Sequence, residues 1–257
     1  MKKLTYLLVA FCFLTATSCI DIVEEMFLKK NGTGKYVITM DMSALMEAGT
    51  KEMLEGMMEE GQKEGDMEAK MPTEMDTIMY FTDAPDSLKR KFSHPEILKK
   101  VSVHTIMSEA KEKMIIKFAI DFDDMKEIDY FLEDLDKLQG DNAMAGGLPG
   151  AGSDAGGGGG LLPTGSASGM FKLAKRKFTR MAGEKADATM SEEELQMAKM
   201  FFADASYKTI YHFPGKIKKT TMKNATVDGK TLTMVLPLID ILEGKAAMEG
   251  DVCFKRR

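Results

Sequence analysis

Residues 101–122 read VSVHTIMSEAKEKMIIKFAIDF, and they predict the central hairpin of the fold. Val101, Val103 and Met107 alternate with more polar residues up to the polar turn 108–113. After the turn the alternation resumes, with apolar positions at Met114, Ile116, Phe118, Ile120 and Phe122. Strict alternation places one face of a strand against a core. We therefore expect two antiparallel strands, of which the second is central in its sheet.

The segments on either side extend this pattern. Tyr36, Ile38, Met40 and Met42 alternate within residues 34–42 and predict another half-buried strand. After the hairpin, Asp124 and Glu127 form an acidic capping signal for a helix that ends at Gly140. That helix would bury Ile128, Phe131, Leu132, Leu135 and Leu138.

The second half repeats the mixture of strands and helices. Its sequence pattern predicts a strand at 170–181, a helix after the capping box at 191–194 and an alternating strand at 207–213. The pattern further predicts a hairpin turn at Asp228-Gly229, a short helical turn at 237–243 and a last strand near 246–254. We therefore expect an α+β fold, with an antiparallel β-meander sheet and packed helices, interrupted by a disordered glycine-rich loop.

That loop is the stretch 140–169, which holds 12 of the 23 glycines. It contains too little apolar surface to order itself and is typical of a flexible linker or insertion. A phosphate-binding loop would need a lysine ahead of a helix, and no lysine lies between Gln139 and Met170.

The N-terminus indicates where the chain works. Lys2 and Lys3 precede an apolar run at 4–14, and small residues lead to Cys19, as in a secretory signal peptide. A cysteine at this place resembles a bacterial lipobox, so we expect residues 1–18 to be removed and Cys19 to carry a lipid. Residues 19–33 would then be the lipidated cysteine and a tether. Residues 34–139 and 170–257 would be the two parts of the α+β domain. Plain secretion remains an alternative, because Ala16 and Ser18 also suit an ordinary cut.

Composition excludes one broad class. The chain has 40 acidic against 35 basic residues, a formal net charge of −5, and this argues against a nucleic-acid partner. Of the three cysteines, Cys12 would leave with the signal peptide. A lipidated Cys19 would leave Cys253 without a disulfide partner, whereas under plain secretion the two could pair.

The second half contains three short motifs, YHFPGKI at 211–217, NATVDGKTLT at 224–233 and Leu-Pro-Leu at 236–238. Together with the 34–42 strand and the lipobox, they resemble the LppM-like family of bacterial envelope lipoproteins. The resemblance implies an α+β domain at the envelope, behind a lipidated cysteine, that binds something apolar or amphiphilic, such as a lipid. We keep an envelope protein as the other expected ligand. The resemblance implies no catalytic residues.

The residues themselves also give little support to an enzyme. The three histidines, His94, His104 and His212, are spread along the chain, and Cys253 has no histidine near it in sequence. We interpret them as structural or surface residues, and we expect no enzymatic activity and no cofactor.

The abundant methionines leave three hypotheses open. Met67, Met71, Met75 and Met79 recur every four residues, and thioethers are ligands for Cu(I). They could equally fill gaps in a core, since Pro72 interrupts any single helix that carries all four. Met-rich faces also adapt to irregular partners or acyl chains, which favours a binding module.

Basic residues gather in the second half. If residues 170–181 formed one strand, Lys172, Arg176 and Arg180 would share a face, and Lys216 and Lys218 would share another. We predict that these five residues contact ligand or membrane, with about 1 kcal/mol of attraction to anionic headgroups for each.

Overall fold

The computed structural model describes residues 20–46, 73–140, 170–182, 195–196, 198–199 and 202–255. The strands in these ranges are β1 (Asp21–Leu28), β2 (Gly34–Asp41), β3 (Glu74–Tyr80), β4 (Val101–Ser108), β5 (Lys113–Phe122), β6 (Phe171–Ala174), β7 (Lys177–Arg180), β8 (Ser206–His212), β9 (Ile217–Thr220), β10 (Thr226–Asp228), β11 (Thr231–Pro237) and β12 (Gly250–Phe254). The α-helices with bounds in these ranges are α1 (Asp86–Lys89), α2 (Lys126–Gly140) and α3 (Leu238–Leu242), and short 3₁₀ turns lie at Ser43–Met46, Phe81–Asp83 and Pro95–Lys100. Residues 195–196, 198–199 and 202 are also helical.

Eight strands form the larger sheet, in the order β10-β11-β8-β1-β2-β5-β4-β3. The predicted hairpin is confirmed as β4 and β5, which pair antiparallel from Val101 opposite Ile120 to Ser108 opposite Lys113. β5 also pairs with β2, so it lies inside the sheet as expected. The sheet takes strands from both parts of the chain, before and after residues 140–169.

The predicted tether is wrong for residues 21–28, which form β1 in the middle of the larger sheet. β1 pairs antiparallel with β2 and parallel with β8. The sheet is therefore mixed and is not the antiparallel meander that we expected. The inward face of β1 carries Ile22, Glu24, Met26 and Leu28, all of them buried. Glu24 breaks the alternation of apolar and polar residues that would predict a strand here. A charged residue is not expected at an inward position, because charged residues are rarely buried without a partner.

Four short strands form a second, antiparallel sheet in the order β6-β7-β12-β9. The single strand predicted at 170–181 is wrong, because the chain turns back at Lys175 and Arg176 and forms the hairpin β6–β7. Lys175 adopts a φ of +54°, a conformation that residues other than glycine, asparagine and aspartate seldom take. No glycine marks this turn in the sequence.

The small sheet and α2 cover the same face of the larger sheet. Tyr36 on β2 lies with its ring centroid 6.3 Å from that of Phe131 on α2 and 5.8 Å from that of Phe171 on β6. The helix prediction is confirmed, since all five expected apolar residues of α2 are buried. Its first turn is capped by Asp124, whose Oδ1 accepts a hydrogen bond from the backbone N–H of Lys126 at 2.9 Å.

Other predictions in the second half are also confirmed. Tyr207, Thr209, Tyr211 and Phe213 are buried in alternation on and just after β8, and Gly229 turns the hairpin β10–β11 at a φ of +57°. The short helical turn is α3, and the last strand is β12. The predicted signal peptide, Cys19, most of the glycine-rich stretch and the capping box at 191–194 lie outside the described residues.

Candidate functional site

A small cleft lies where β1 ends, between the edges of the two sheets. Four lysines line it, Lys29, Lys30, Lys175 and Lys255, and the remaining lining residues are Leu28, Leu173, Pro214 and Phe254. Its volume is about 20 Å³, which is room for about one water molecule. The cleft therefore fits a small group, such as one part of a headgroup, and is too small for an acyl chain.

Three separate loops bring the four lysines together. Lys29 and Lys30 lie in the β1–β2 turn, which is closed by a hydrogen bond of 2.8 Å from the N–H of Lys29 to the carbonyl of Thr33. Lys175 lies in the β6–β7 turn, and Lys255 follows directly after β12. All four side chains are exposed, so the charges lie at the surface around a floor of partly or fully buried apolar residues.

Gly215 allows Lys255, which follows β12, to approach the backbone closely beside this cleft. A Cβ atom at Gly215 would lie 1.5 Å from the carbonyl oxygen of Lys255, which no other residue could accommodate without moving the backbone. The close approach is held by a hydrogen bond of 2.8 Å from the N–H of Lys255 to the carbonyl of Lys216. The N–H of Phe254 donates in the same way to the carbonyl of Arg176 at 3.1 Å. Arg176 and Lys216 therefore stand beside the cleft.

The cleft is electrostatically one-sided. Its lining includes no carboxylate, and none of its four lysines forms an ion pair within 4.0 Å among the residues that the structure describes. The pKa of Asp123 is lowered mainly by a hydrogen bond that its carboxylate accepts from Lys100, and the charge of Lys29 at the cleft lowers it further. Such a cluster of uncompensated positive charge attracts an anion.

The five basic residues predicted at the site do not lie together. Arg176 and Lys216 lie at the cleft, whereas Lys172 on β6 and Lys218 on β9 are exposed elsewhere on the small sheet. The prediction for Arg180 is wrong, because its side chain is only 3% exposed and points into the core. The β6–β7 turn separates Arg180 from Arg176 and removes the shared face that a single strand would have had.

Arg180 instead forms a buried ion pair with Glu24 between the two sheets. Its Nη1 lies 3.0 Å from Oε1 and 2.9 Å from Oε2 of Glu24, which is itself fully buried. Tyr207 donates its hydroxyl to Oε2 of Glu24, and Tyr211 donates to Oε1. The guanidinium also lies 5.7 Å from the ring centroid of Phe171. Sequence reasoning missed Glu24 altogether, since it fell in the supposed tether.

Burial and charge set the protonation of this cluster. Burial raises the pKa values of Tyr207 and Tyr211 well above the ordinary value of 10.0, and the Glu24 carboxylate raises them further. Burial alone would lower the pKa of Arg180, but the charge of Glu24 outweighs it and the pKa is raised. The tyrosines therefore stay neutral donors and the arginine stays charged, and the cluster joins the two sheets.

The three histidines lie in separate places, each beside a carboxylate. His94 stacks on Tyr130, and the ring of His104 lies 2.7 Å from Oδ1 of Asp76. His212 is the one with a hydroxyl as well: its Nε2 lies 2.8 Å from Oε1 of Glu25 and its Nδ1 lies 3.3 Å from Oγ1 of Thr231. Both contacts follow from strand pairing. Thr231 on β11 lies directly opposite His212. On the other side His212 lies opposite Phe27 on β1, on which its ring stacks, and Glu25 is two residues before Phe27 on that strand.

The described methionines of the copper hypothesis do not form a shared site. Met67 and Met71 lie outside the described residues, while Met75 and Met79 lie on β3 and pack against the core. Four residues along a strand span about 13 Å, which is too far for two thioethers to bind one copper ion. No group of three or more histidine, cysteine or acidic side chains in the described part of the chain is placed to hold a metal.

Cys253 on β12 is a free, half-buried cysteine, and Cys19 lies outside the described residues. Within those residues, no helix combines the length and the hydropathy needed to cross a bilayer.

Comparisons with known proteins give one structural match. No family model and no curated protein matches the chain. The chain is similar to the NMR structure of the folded domain of LppM from Mycobacterium tuberculosis, with 10% sequence identity, a TM-score of 0.40, and coverage of 92% of this chain and 90% of that chain. This solved domain belongs to the family that the motifs at 211–238 resemble.

Proposed function

We propose that the mature chain is a lipid-anchored, extracytoplasmic and non-enzymatic binding domain of the bacterial cell envelope, whose cationic cleft takes an anionic group of a lipid-like ligand. The observation that carries this proposal is the cleft itself: four lysines without ion-pair partners in the described residues surround an apolar floor. The lipobox-like Cys19 supports the lipid anchor, and secretion without an anchor is the alternative localisation. A protein ligand with an acidic segment is the alternative partner.

The cleft lies at the C-terminal end of β1, and Cys19, the proposed anchor site, precedes the other end of β1 by two residues in the sequence. Ile20 is buried and β1 begins at Asp21, so a single residue separates Cys19 from the sheet. A strand of eight residues spans about 23 Å between its first and last Cα atoms. A lipid on Cys19 would therefore hold the domain directly against the membrane, and the cleft would reach the headgroups of the same membrane when β1 lies along its surface.

The attraction between the lysines of the cleft and anionic headgroups would be strong enough to orient the domain on the membrane. A lysine near an anionic surface contributes about 1 kcal/mol, so three or four of them give a hundredfold to a thousandfold preference over a neutral surface. Stable attachment to a membrane generally needs a second signal besides one acyl chain, and a basic patch is one such signal. The cleft would supply it.

Co-sedimentation with vesicles tests the proposal. The mature Cys19→Ala chain, which carries no lipid, is mixed with vesicles of phosphatidylcholine with or without phosphatidylglycerol. We expect binding only to the anionic vesicles, and we expect a Lys29→Gln/Lys30→Gln/Lys175→Gln variant to lose most of it. The matched control, Lys172→Gln/Lys218→Gln/Lys219→Gln, removes the same charge from exposed lysines away from the cleft. An equal loss of vesicle binding in both triple variants would show that general surface charge, and not the cleft, causes the binding. Unchanged binding in the Lys29→Gln/Lys30→Gln/Lys175→Gln variant would refute the proposal.

A further inference from the structure

β3 forms an edge of the larger sheet, and no other described strand pairs with its outer side. In the sheet order it neighbours β4 alone. The N–H of Glu109 donates to the carbonyl of Thr73 at 2.8 Å, and in an antiparallel pair such bonded residues alternate with non-bonded ones. The residues bonded to β4 are therefore Met75, Thr77 and Met79. The backbone N–H and C=O groups of Glu74, Asp76, Ile78 and Tyr80 point away from the sheet.

These four outward-facing residues have no backbone partner in the part of the chain that the structure describes. Within that part, no backbone hydrogen bond from residues 74–80 reaches beyond β4. Ile78 and Tyr80, which lie two residues apart on one face of β3, are also 55% and 54% exposed. The edge therefore offers both backbone hydrogen bonds and apolar surface.

The other edges of the two sheets are protected in ways that β3 is not. β10 has three residues, and β6 and β9 have four each, with Lys172 on β6 and Lys218 and Lys219 on β9. Short length and lysines are the devices by which proteins prevent edge-to-edge pairing. β3 has seven residues, EMDTIMY, with no lysine and no proline.

We propose that β3 pairs antiparallel with β3 of a second copy of this chain, about a two-fold axis at Thr77, so that two eight-stranded sheets become one continuous sheet. In this register Asp76 lies opposite Ile78, Glu74 opposite Tyr80 and Met75 opposite Met79, with Thr77 opposite itself. All four outward-facing residues of each strand then find partners, which gives about eight new hydrogen bonds.

The side chains of β3 complement themselves in this register. Glu74 uses Oε1 to accept a hydrogen bond from Ser108 at 2.7 Å, so its other oxygen is available to the phenol of Tyr80 across the axis. Neither acidic residue meets its own copy. Parallel pairing would instead place Glu74 beside Glu74 and Asp76 beside Asp76, and like charges directly opposite one another are destabilising.

The two-fold axis is perpendicular to the sheet, because both copies present Asp76 and Ile78 on the same face. The β1 strands of the two copies therefore run in opposite directions. Both chain starts reach one membrane when the joined sheet lies along it, which is the orientation in which the cleft also reaches the headgroups. The pairing itself does not depend on the anchor or on the cleft.

Disulfide trapping tests the register. In the antiparallel pair, Thr77 and its copy form a non-hydrogen-bonded pair with Cα atoms about 4.5 Å apart, within the range that a disulfide spans. Thr77→Cys is made in a Cys253→Ser background of the full chain, and the producing cells are oxidised mildly together with their medium. We expect a covalent dimer of twice the chain mass. The matched control is Val227→Cys on the other edge strand, β10, where we expect no dimer above the Cys253→Ser background.

A charge swap tests the same register without relying on one variant. Adding Ile78→Asp to Thr77→Cys places an aspartate opposite Asp76 twice, and we expect at least about a tenfold loss of dimer. Adding Asp76→Lys to that variant places a lysine opposite each new aspartate, and we expect the dimer to return. Ile78 is exposed, so its substitution leaves the core intact.

Four results would overturn the pairing. They are no more dimer from Thr77→Cys than from Val227→Cys, no effect of Ile78→Asp, no recovery of the dimer in the charge swap, and a disulfide from the Thr77→Cys variant to a different protein. Vesicle binding by the cleft would survive each of these results.

Discussion

The carboxylate of Glu24 and the guanidinium of Arg180 meet at 2.9 Å between two sheets, although the two residues lie 156 positions apart in the chain. Glu24 lies on β1 of the larger sheet, and Arg180 ends β7 of the smaller one. Burying two charges is costly unless each is paired and its other atoms are hydrogen-bonded, and Tyr207 and Tyr211 complete the bonding of Glu24. The pair therefore specifies how the two sheets face each other.

Arg180→Met should strongly destabilise the fold, because it leaves the Glu24 carboxylate buried without its counter-charge. We expect the free energy of unfolding in urea to fall by about 3–5 kcal/mol. The double variant Glu24→Met/Arg180→Met should lose less than the sum of the two single variants, with a coupling energy of about 2 kcal/mol. Lys172→Met, an exposed control on the same small sheet, should change stability by less than about 0.5 kcal/mol. Additive losses would show that the two side chains do not interact.

Gly215→Ala should displace the last strand from the cleft. The new Cβ atom would overlap the carbonyl oxygen of Lys255, so the hydrogen bond from Lys255 to Lys216 must break. Gly229→Ala is the matched control: it meets no atom within 4 Å and suffers only from a φ of +57°, a cost of about 1 kcal/mol. Thermal unfolding should show a larger loss for Gly215→Ala, together with faster amide exchange at Lys255. An equal or smaller loss at Gly215 would contradict the close approach.

Asp251 should contribute to stability in a pH-dependent way. A hydrogen bond from Thr179 and the ammonium of Lys177 lower its pKa from the ordinary 3.8. An acid whose pKa is lowered by folding stabilises the folded state above its unfolded pKa, and this stability is lost as the pH falls through the folded pKa. Wild type should therefore be more stable than Asp251→Asn at about pH 7, and the difference should shrink below 3.8. Urea unfolding across this range checks it, and a difference that does not change with pH would exclude the ionised carboxylate as the cause.

The parts of the fold that follow from local periodicity could be predicted. The hairpin β4–β5 and the helix α2 keep an unbroken apolar pattern, and their turn and cap residues agree with it. β1 could not be predicted, because Glu24 occupies an inward position and its partner Arg180 is distant in sequence. The parallel pairing of β1 with β8 is likewise non-local.

The candidate site was predictable only in part. Arg176 and Lys216 were identified as basic residues, and the structure places both beside the cleft. Lys29, Lys30 and Lys255 were missed, since they belong to loops that meet only after folding. The position of the β6–β7 turn was hidden for another reason: Lys175 takes a positive φ without the glycine that usually signals it.

Lipid attachment at Cys19 is tested most directly by metabolic labelling with a palmitate analogue in a bacterium that carries the full chain. The account predicts that the wild type and a Cys253→Ser variant incorporate label in the membrane fraction, and that Cys19→Ala incorporates none. An unlabelled wild type, or a Cys19→Ala variant labelled as strongly as the wild type, would contradict it.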